Sequence, residues 1–452
     1  MTVNPSAINQ LSAISVSTRQ KTLAALIDGG PAPCPEEPWV NMHMHTFFSF
    51  NGEGWSPTRL AWEAKRIGLY AAGIVDFDVL DGLEEFYAAA DQLQLRAVGG
   101  FESRTFFQEY ADHEINSPGE PGVFYFMGEG FREPPPAGSR PAAVFASMLE
   151  QAHRRNRDLI SRINAQLRGL ALDYEDDVLP LTPAGNATER HIVRGYFDKA
   201  LAVSGGDPTE AARLWAANLG LEVGQLTDLM KDTNAFVDML RSRMMKKGGL
   251  GYLQPTEKTF PLLDEVIHMI LACQAVPTTA WLDGTRSGEA DPEAQLECLV
   301  DKGVAAANII PDRNWNVKDS DTAARLVREL HTYAGVCRKM DIPILVGTEL
   351  NKPGQRFVDD FAAPAMKPLH QQFIFGAQVL VGHTRLLRYA DFSYVGDEAA
   401  NEFSARGARN RAFAAIGALA PPPPDARAKL EAMNAGKAYS YLHDCARKDE
   451  WL

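Results

Sequence analysis

The sequence predicts an α/β fold in which short parallel strands alternate with helices. Short apolar runs alternate with helical patterns over residues 38–131 and again over residues 261–361. Strands separated by helices in this way form βαβ units and a parallel sheet. Residues 132–260 have mostly helical patterns and predict a large helical insertion, and residues 362–452 predict a helical C-terminal extension.

Residues 1–37 form an N-terminal segment before the first predicted strand. Residues 8–28 have an amphipathic pattern and predict one helix, which Gly29 and Gly30 would end. The proline-rich residues 31–35 predict a stiff linker. The start is polar and has neither the basic nor the apolar region of a signal peptide, so we expect a cytoplasmic protein.

In the first block, polar side chains stand where predicted strands end. Ser56 and Pro57 are a typical N-cap and first residue of the helix after strand one. Because parallel strands end at one common face, we expect these polar groups to meet there. The predicted strands are the one carrying His43 and His45, residues 70–75 before Asp76 and Asp78, residues 95–100 before Glu102, and residues 123–127.

The second block repeats the pattern after the insertion. Asp283 follows its first strand as a candidate acid, and Asn351 and Lys352 follow its last strand, where a lysine could hold a phosphate or carboxylate. The simple alternative for Lys352 is a solvated lysine in a loop. The predicted helices cover residues 262–274, 293–302 and 322–340, and the predicted strands cover residues 276–280, 305–310 and 342–347.

His43 and His45 are the first sign of a metal site. Alternate residues of a strand point to the same side, so the two imidazoles would project together and supply half of a metal site. The alternative is that two structural histidines happen to alternate. Neither a nucleotide-binding glycine motif nor a nucleophile elbow occurs in the sequence.

The order of motifs over residues 41–351 resembles the polymerase and histidinol phosphatase (PHP) family. The resemblance lies in His-x-His-Thr ending at Thr46, an Asp-containing motif at Asp76, and Gly-Phe-Glu ending at Glu102. It implies a distorted TIM-like (β/α)7 barrel with divalent metals at its C-terminal mouth. It also implies hydrolysis of a phosphate ester.

Matched against that family, the ligands of one metal ion are present and those of two others are absent. The resemblance therefore implies one divalent ion, and a set of two histidines and two carboxylates suits Zn, Mn or Fe. The matching ligands are His43, His45, Glu102 and Glu349, the last with Glu in place of Asp. The lost positions hold Asn51, Phe77 and Asn351 for the second ion, and Tyr125 and Trp281 for the third.

Other candidates come from loops and from the insertion. Asp76, Asp78 or His113 could manage protons. Asp76 and Asp78 could instead be partners of the metal ligands, and His113 could replace a lost ligand. The simple alternatives are that Asp78 caps a helix and that His113 is an exposed loop residue. Arg190 and His191 begin a predicted helix, and helix N-termini attract anions. The insertion could therefore be a lid that brings them over the metal; the alternative is an ordinary helix start with Thr188 as N-cap.

Composition limits the partners. The 452 residues include 45 basic and 58 acidic side chains, a formal net charge of −13, and no basic run, which argues against nucleic-acid binding. No apolar run is long enough for a membrane span. Five scattered cysteines without a CxxC motif suggest reduced thiols. We expect a small-molecule substrate, and the sequence leaves a homo-oligomer open.

We therefore expect a metal-dependent hydrolase of PHP type that acts on a small anionic, phosphorylated metabolite through activated water. Loss of the second and third metal ions leaves two alternatives. One is a mononuclear metal enzyme of sugar or sugar-acid metabolism, an isomerase, epimerase or lyase. The other is a non-catalytic PHP-like barrel that only binds a ligand.

Overall fold

The computed structural model describes residues 5–29 and 33–452. Its centre is a seven-stranded sheet in which the strands follow one another in sequence order. The strands are β1 (Glu37–Met44), β2 (Leu69–Phe77), β3 (Arg96–Phe106), β4 (Val123–Glu129), β5 (Val276–Trp281), β6 (Ala306–Ile309) and β7 (Ile344–Val346).

The sheet curls into a nearly closed barrel. Met44 at the end of β1 pairs with Glu349 beyond β7 in a parallel bridge. The His45 amide donates to the Glu349 carbonyl and the Glu349 amide to the His43 carbonyl, both at 2.8 Å. The predicted α/β fold, a distorted TIM-like barrel with helical additions, is thereby confirmed.

Helices surround this barrel, fill the insertion and form the C-terminal extension. Those before β5 are α1 (Pro5–Gln10), α2 (Val16–Gly29), α3 (Pro57–Arg66), α4 (Leu83–Leu93), α5 (Arg140–Asn164), α6 (Glu189–Val203), α7 (Pro208–Leu219), α8 (Val223–Leu229), α9 (Thr233–Met245) and α10 (Leu263–Ala272). The later ones are α11 (Pro292–Asp301), α12 (Asp312–Trp315), α13 (Ser320–Lys339), α14 (His370–Ala390), α15 (Asp397–Glu402), α16 (Arg406–Ala418), α17 (Pro424–Glu431) and α18 (Ala435–Lys448).

Two helix starts follow the local sequence closely. Ser56 Oγ accepts from the Arg59 amide at 3.0 Å, as predicted for an N-cap before Pro57. Ser139 does the same for α5, accepting from the Ala142 amide at 3.3 Å. Because these side chains satisfy amides that lack a partner within the helix, they fix where α3 and α5 begin.

The N-terminal prediction of one helix over residues 8–28 is wrong. The chain forms two helices, α1 and α2, separated by a short turn. The buried Arg19 donates to the carbonyls of Ala13 and Ile14 at 2.6 and 2.8 Å, so these carbonyls bond a side chain instead of continuing a helix. The predicted stop at Gly30, and Pro31 and Ala32 of the predicted linker, lie outside the described residues.

The prediction of an all-parallel sheet fails at β4, which runs antiparallel to both β3 and β5. The connection from β3 to β4 contains one short 3-10 turn, Gln108–Tyr110, in place of the crossover helix that joins parallel strands. Strand β3 also runs on to Phe106, beyond the predicted end. Glu102 therefore lies inside a strand and not at its tip.

The insertion has a hydrophobic core of its own. Trp215, Tyr196 and Phe236 are fully buried in a cluster formed by residues 160–245. A separate cluster includes strands of the barrel and the C-terminal helices, among them Phe373 and Phe413. Within the described residues, no helix is long and apolar enough to cross a membrane. All five cysteines are free.

Candidate functional site

Three side chains predicted as metal ligands converge inside the barrel. His43 lies on β1, His45 is the first residue after that strand, and Glu102 lies on β3. The exposed fractions of the three side chains are 2%, 0% and 4%. The Nε2 atoms of His43 and His45 lie 3.5 and 3.2 Å from Glu102 Oε2. Ligands at about 2.1 Å from one tetrahedral ion lie roughly 3.4 Å apart. The separations therefore fit a shared divalent cation.

The same three atoms have no hydrogen-bond partner within the described residues: His43 Nε2, His45 Nε2 and Glu102 Oε2. Unpaired buried polar atoms are costly, and folded proteins contain few of them. Together these residues form the buried His-His-Glu group whose ligand atoms lie within 4.8 Å of one another. A cation held by all three atoms would satisfy each of them. We call these three residues the triad.

The other ring nitrogens are held so that both Nε2 lone pairs face the centre of the triad. His43 Nδ1 lies 2.9 Å from Asn308 Oδ1 on β6, so Nδ1 carries the proton. Ser49 Oγ donates its proton to Asp76 at 2.7 Å, so it accepts from His45 Nδ1 at 3.2 Å. Metal-binding histidines typically have such a partner on the second nitrogen.

Asp76 stands behind the triad. Its carboxylate accepts from the Thr46 amide at 2.7 Å, from the Thr46 hydroxyl at 2.6 Å and from Ser49. Burial raises the pKa of Asp76, and His45, Ser49 and Thr46 oppose the rise. Asp76 was predicted as a proton carrier or as a partner of the metal ligands. Its contacts place it to orient His45 through Ser49, and its part in proton transfer stays a prediction.

The electrostatics of the triad favour a cation at its centre. Burial opposes the charge on Glu102, yet the two histidines outweigh burial and lower its pKa. Burial likewise disfavours protonated His43, but the charges of Glu102 and Glu349 outweigh it and raise the pKa of His43. Both shifts have the same origin, the attraction between the histidines and the carboxylates that face them.

Glu349, the fourth predicted ligand, lies beside the triad but not within it. It is not among the atoms that converge within 4.8 Å, and its Oε1 accepts from Arg313 on α12 at 2.5 Å. Glu349 and Leu350 have positive φ angles of 65° and 55°. This left-handed backbone disfavours most side chains and accompanies the hydrogen bonds that close the barrel. The ligand role of Glu349 stays a prediction.

The positions expected to lack further metal ligands are occupied by other interactions. Asn51 donates to the His45 carbonyl at 2.8 Å and accepts from the Glu53 amide at 2.9 Å. Phe77 stacks on His45, with ring centroids 4.4 Å apart. Trp281 stacks on Tyr333 at 4.7 Å. These three side chains are therefore engaged in contacts with neighbouring residues.

The triad opens into a large cavity between the barrel and the insertion. The cavity has a volume of about 970 Å³ and is lined by His43 and Glu102, by α5 and by residues 186–190 and 251–260. Its size falls in the range of small-molecule sites. Nine basic and six acidic side chains line it, although the whole chain has a net charge of −13. The basic ones are Arg104, Arg154, Arg155, Arg162, Arg190, Arg241, Lys258, Arg313 and Lys352.

Besides the predicted ligands His43, Glu102 and Glu349, four predicted residues line this cavity: Asp78, Arg190, Asn351 and Lys352. Asp78 accepts from Ser103 Oγ at 2.5 Å; burial raises its pKa, while Arg155, Ser103 and Arg104 oppose the rise. Arg190 pairs with Asp238 of the insertion, and Lys352 Nζ lies 3.0 Å from the other oxygen of Asp238. Asp238 therefore ties the insertion to the barrel.

Three predicted residues lie neither in the lining of the cavity nor beside the triad. His113 is exposed on the loop before β4, and Asp283 accepts from the Thr285 amide and hydroxyl at 2.8 and 2.5 Å, which holds a turn. His191 is buried and its Nδ1 accepts from the Thr188 amide at 3.1 Å. Thr188 is the N-cap of α6, so His191 completes a capping box. The structure does not bring these three to the triad.

Several residues of the site were not anticipated from the sequence: Asn308, Ser49, Arg313, Arg104 and Arg155. Only Arg104 carried a readable signal, because it follows Glu102 by two residues and so shares its face of β3. Asn308 and Ser49 are recognisable only through their contacts with the histidines. Arg155 belongs to an arginine-rich helix that, from sequence, looks like an ordinary solvated surface.

Comparison with known proteins gives a distant similarity. No protein-family model and no curated protein matches the sequence. An amidohydrolase from Chromobacterium violaceum, solved with sulfate and no metal, is 14% identical over 74% of this chain and 96% of its own, with a TM-score of 0.46. A candidate metal-dependent phosphoesterase from Bifidobacterium adolescentis is 17% identical over 76% of this chain and 98% of its own, also with a TM-score of 0.46.

Proposed function

We propose that this protein is a metal-dependent hydrolase of PHP type that acts on a small anionic, phosphorylated metabolite. The observation that carries the proposal is the triad, because three buried donor atoms meet without any other partner at the floor of a basic cavity. Two histidines and one carboxylate, with room for further ligands, are typical of catalytic zinc or non-haem iron sites.

The residues of the chain would have separate tasks. His43, His45 and Glu102 would hold one divalent ion, which we propose to be Zn, Mn or Fe. When bound, such an ion supplies Lewis acidity, which polarises a substrate oxygen and makes water more acidic. Asp78, a buried carboxyl on the cavity wall, would accept a proton. The insertion covers the mouth and would act as a lid that excludes water.

A second candidate is a mononuclear metal enzyme of sugar or sugar-acid metabolism. The occupied positions of Asn51 and Phe77 favour it, because they leave no ligands for a second ion beside the first. Many phosphoesterases clamp the attacking and leaving oxygens with paired metals. An isomerase, epimerase or lyase works with one.

Metal analysis is the first test. We expect about one divalent ion per purified chain and little metal in a His43→Ala/His45→Ala double variant. His113→Ala is the matched control, because His113 is an exposed histidine outside the cavity and its loss should leave the metal in place. Equal metal content in the double variant and the native protein would contradict the proposal.

Substrate screens distinguish the candidates. We expect phosphate release from one or more phosphorylated metabolites, and its loss in Glu102→Gln. Turnover only in a parallel screen of sugars and sugar acids would favour the second candidate. Bound metal with no turnover in either screen would indicate a barrel that binds a ligand without catalysis.

A further inference from the structure

One pair of arginines in the cavity lies further out than the triad. Arg104 is two residues beyond Glu102 on β3 and points to the same side, about 7 Å along the strand. In the register of the sheet Arg104 faces Tyr125 of β4, which also lines the cavity. A ligand that touches the triad could therefore reach Arg104 without leaving the cavity.

Arg155 approaches the same place from the insertion. The guanidinium of Arg104 lies 4.4 Å from the ring centroid of Phe260, and that of Arg155 lies 4.6 Å from it. Phe260 is 3% exposed. The ring thus provides a fixed platform for two cations that come from different parts of the chain.

Most hydrogen-bond donors of this pair are unused. Within the described residues Arg104 makes no side-chain hydrogen bond; its Nη1 lies 3.6 Å from Glu120 Oε2, which already accepts from Ser117 Oγ at 2.7 Å. Arg155 donates once, to the Thr259 carbonyl at 3.1 Å. A guanidinium has five N–H donors in a planar fork, so the pair could bind several more oxygens.

Three carboxylates act on the pair, and each already has another partner. Asp78 and Glu189 act on both arginines, and Glu120 acts on Arg104. Asp78 accepts from Ser103, Glu189 pairs with Arg241 and Lys246, and Glu120 accepts from Ser117. Burial, together with Arg104 and Arg154, lowers the pKa of Arg155 to about 10 despite the attraction of Asp78. An anion that contacts both guanidiniums would accept several charged hydrogen bonds.

We propose that Arg104 and Arg155, on the platform of Phe260, form a second anion-binding subsite for a phosphate or carboxylate group of the substrate. This group is not the one that reacts at the triad. The inference rests on the proposed function, because it takes the bound anion to be part of the substrate. It restricts the substrate to molecules that carry an anionic group roughly 7 Å from the reacting group. Because Arg155 belongs to the insertion, binding would also hold the insertion against the barrel.

Calorimetric titration with inorganic phosphate, and separately with malonate, tests the subsite. We expect one or both anions to bind, and the tighter of the two identifies the substrate group as phosphate or carboxylate. Arg104→Gln/Arg155→Gln should weaken binding about tenfold or more, since each charged hydrogen bond is worth a sizeable part of that factor. Arg140→Gln is the control, because Arg140 is an exposed arginine on the same helix as Arg155 and lies outside the cavity.

Different results would contradict the subsite and the proposed function. The subsite is overturned if neither anion binds the native protein, if the double arginine variant binds within about twofold of native, or if Arg140→Gln weakens binding equally. It is also overturned if His43→Ala/His45→Ala abolishes anion binding, because the anion would then sit at the triad. Melting curves show whether each variant is folded. Absence of metal from the native protein would refute the proposed function while leaving the arginine comparison decisive for the subsite.

Discussion

At the scale of single residues, the site depends on hydrogen bonds that hold the two histidines from behind. Asp76 accepts from Ser49, Ser49 accepts from His45, and the Nε2 atom of His45 is then free for a cation. Asn308 likewise accepts from Nδ1 of His43 and leaves its Nε2 atom free for a cation. The arrangement predicts that residues that touch no substrate control metal affinity.

Ser49→Ala should weaken metal binding about 10- to 100-fold, the usual cost of removing a partner of a metal-binding histidine. The variant loses the hydroxyl that fixes the His45 tautomer. Competition with a chromophoric chelator measures the dissociation constant. Ser103→Ala is the matched control, because it removes a hydroxyl bonded to Asp78 and leaves the triad untouched. Equal metal affinities in all three proteins would show that the hydrogen bonds from His45 through Ser49 to Asp76 do not control metal binding.

Glu129, at the end of β4, is a buried carboxyl that no other described group satisfies: both of its oxygens lack a hydrogen-bond partner. Burial raises its pKa from 4.5 to about 8, with a minor opposing effect of His43. The folded protein therefore holds a proton on Glu129 at pH 7, whereas the unfolded chain does not. Between about pH 4.5 and pH 8 this group lowers the free energy of unfolding as the pH rises, by about 1.4 kcal/mol per pH unit.

Glu129→Gln should remove that slope and stabilise the protein at pH 7 by up to about 3 kcal/mol. Chemical denaturation at a series of pH values between 5 and 8 measures the difference from the native protein (a range set by the two pKa values). Glu133→Gln, a change at a largely exposed surface position, serves as the control and should leave the slope unchanged. A parallel slope in Glu129→Gln and native protein would show that Glu129 titrates normally.

At the scale of elements, close approaches between helices depend on glycine. Helices α14 and α16 cross where Gly382 and Gly417 lie, and a Cβ at Gly417 would overlap the carbonyl oxygen of Gln378. On α13, by contrast, a Cβ at Gly335 would meet nothing within 4 Å. Helix propensity favours alanine at both positions by about 1 kcal/mol, so packing alone decides the outcome.

Gly417→Ala should destabilise the protein by about 1–3 kcal/mol, the usual cost of overpacking. Gly335→Ala should stabilise it by about 0.5–1 kcal/mol. Thermal and urea denaturation of both variants, compared with native protein, measure the two signs. If both variants shift stability in the same direction, the crossing is not as close as described.

At the scale of the whole molecule, the barrel and the insertion enclose one cavity. Asp238 of the insertion pairs with Lys352 of the barrel, and α5 carries Arg155 to the cavity wall. The segment after β7 also reaches the side of the triad, because it pairs with the end of β1 and closes the barrel. Metal binding should therefore stabilise the folded chain as a unit.

Addition of the cognate metal should raise the free energy of unfolding by about 4 kcal/mol when the free ion is a thousandfold above its dissociation constant. A chelator should reverse this effect. Differential scanning fluorimetry with Zn, Mn and Fe measures it and ranks the metals. His45→Ala should not respond to any of the three, while His113→Ala should respond as the native protein does.

The sequence by itself determined the alternation of strands and helices, the starts of α3 and α6, and the pairing of His43 with His45, because these depend on local periodicity and capping. It could not show that β4 runs antiparallel, since strand direction is set by how a connection folds back. It predicted Glu349 as a metal ligand but could not show that this side chain also accepts from Arg313. Only the fold decided that Glu102 meets both histidines and that Arg104 and Arg155 both contact Phe260, because contacts between distant segments depend on how the barrel closes and where the insertion lies.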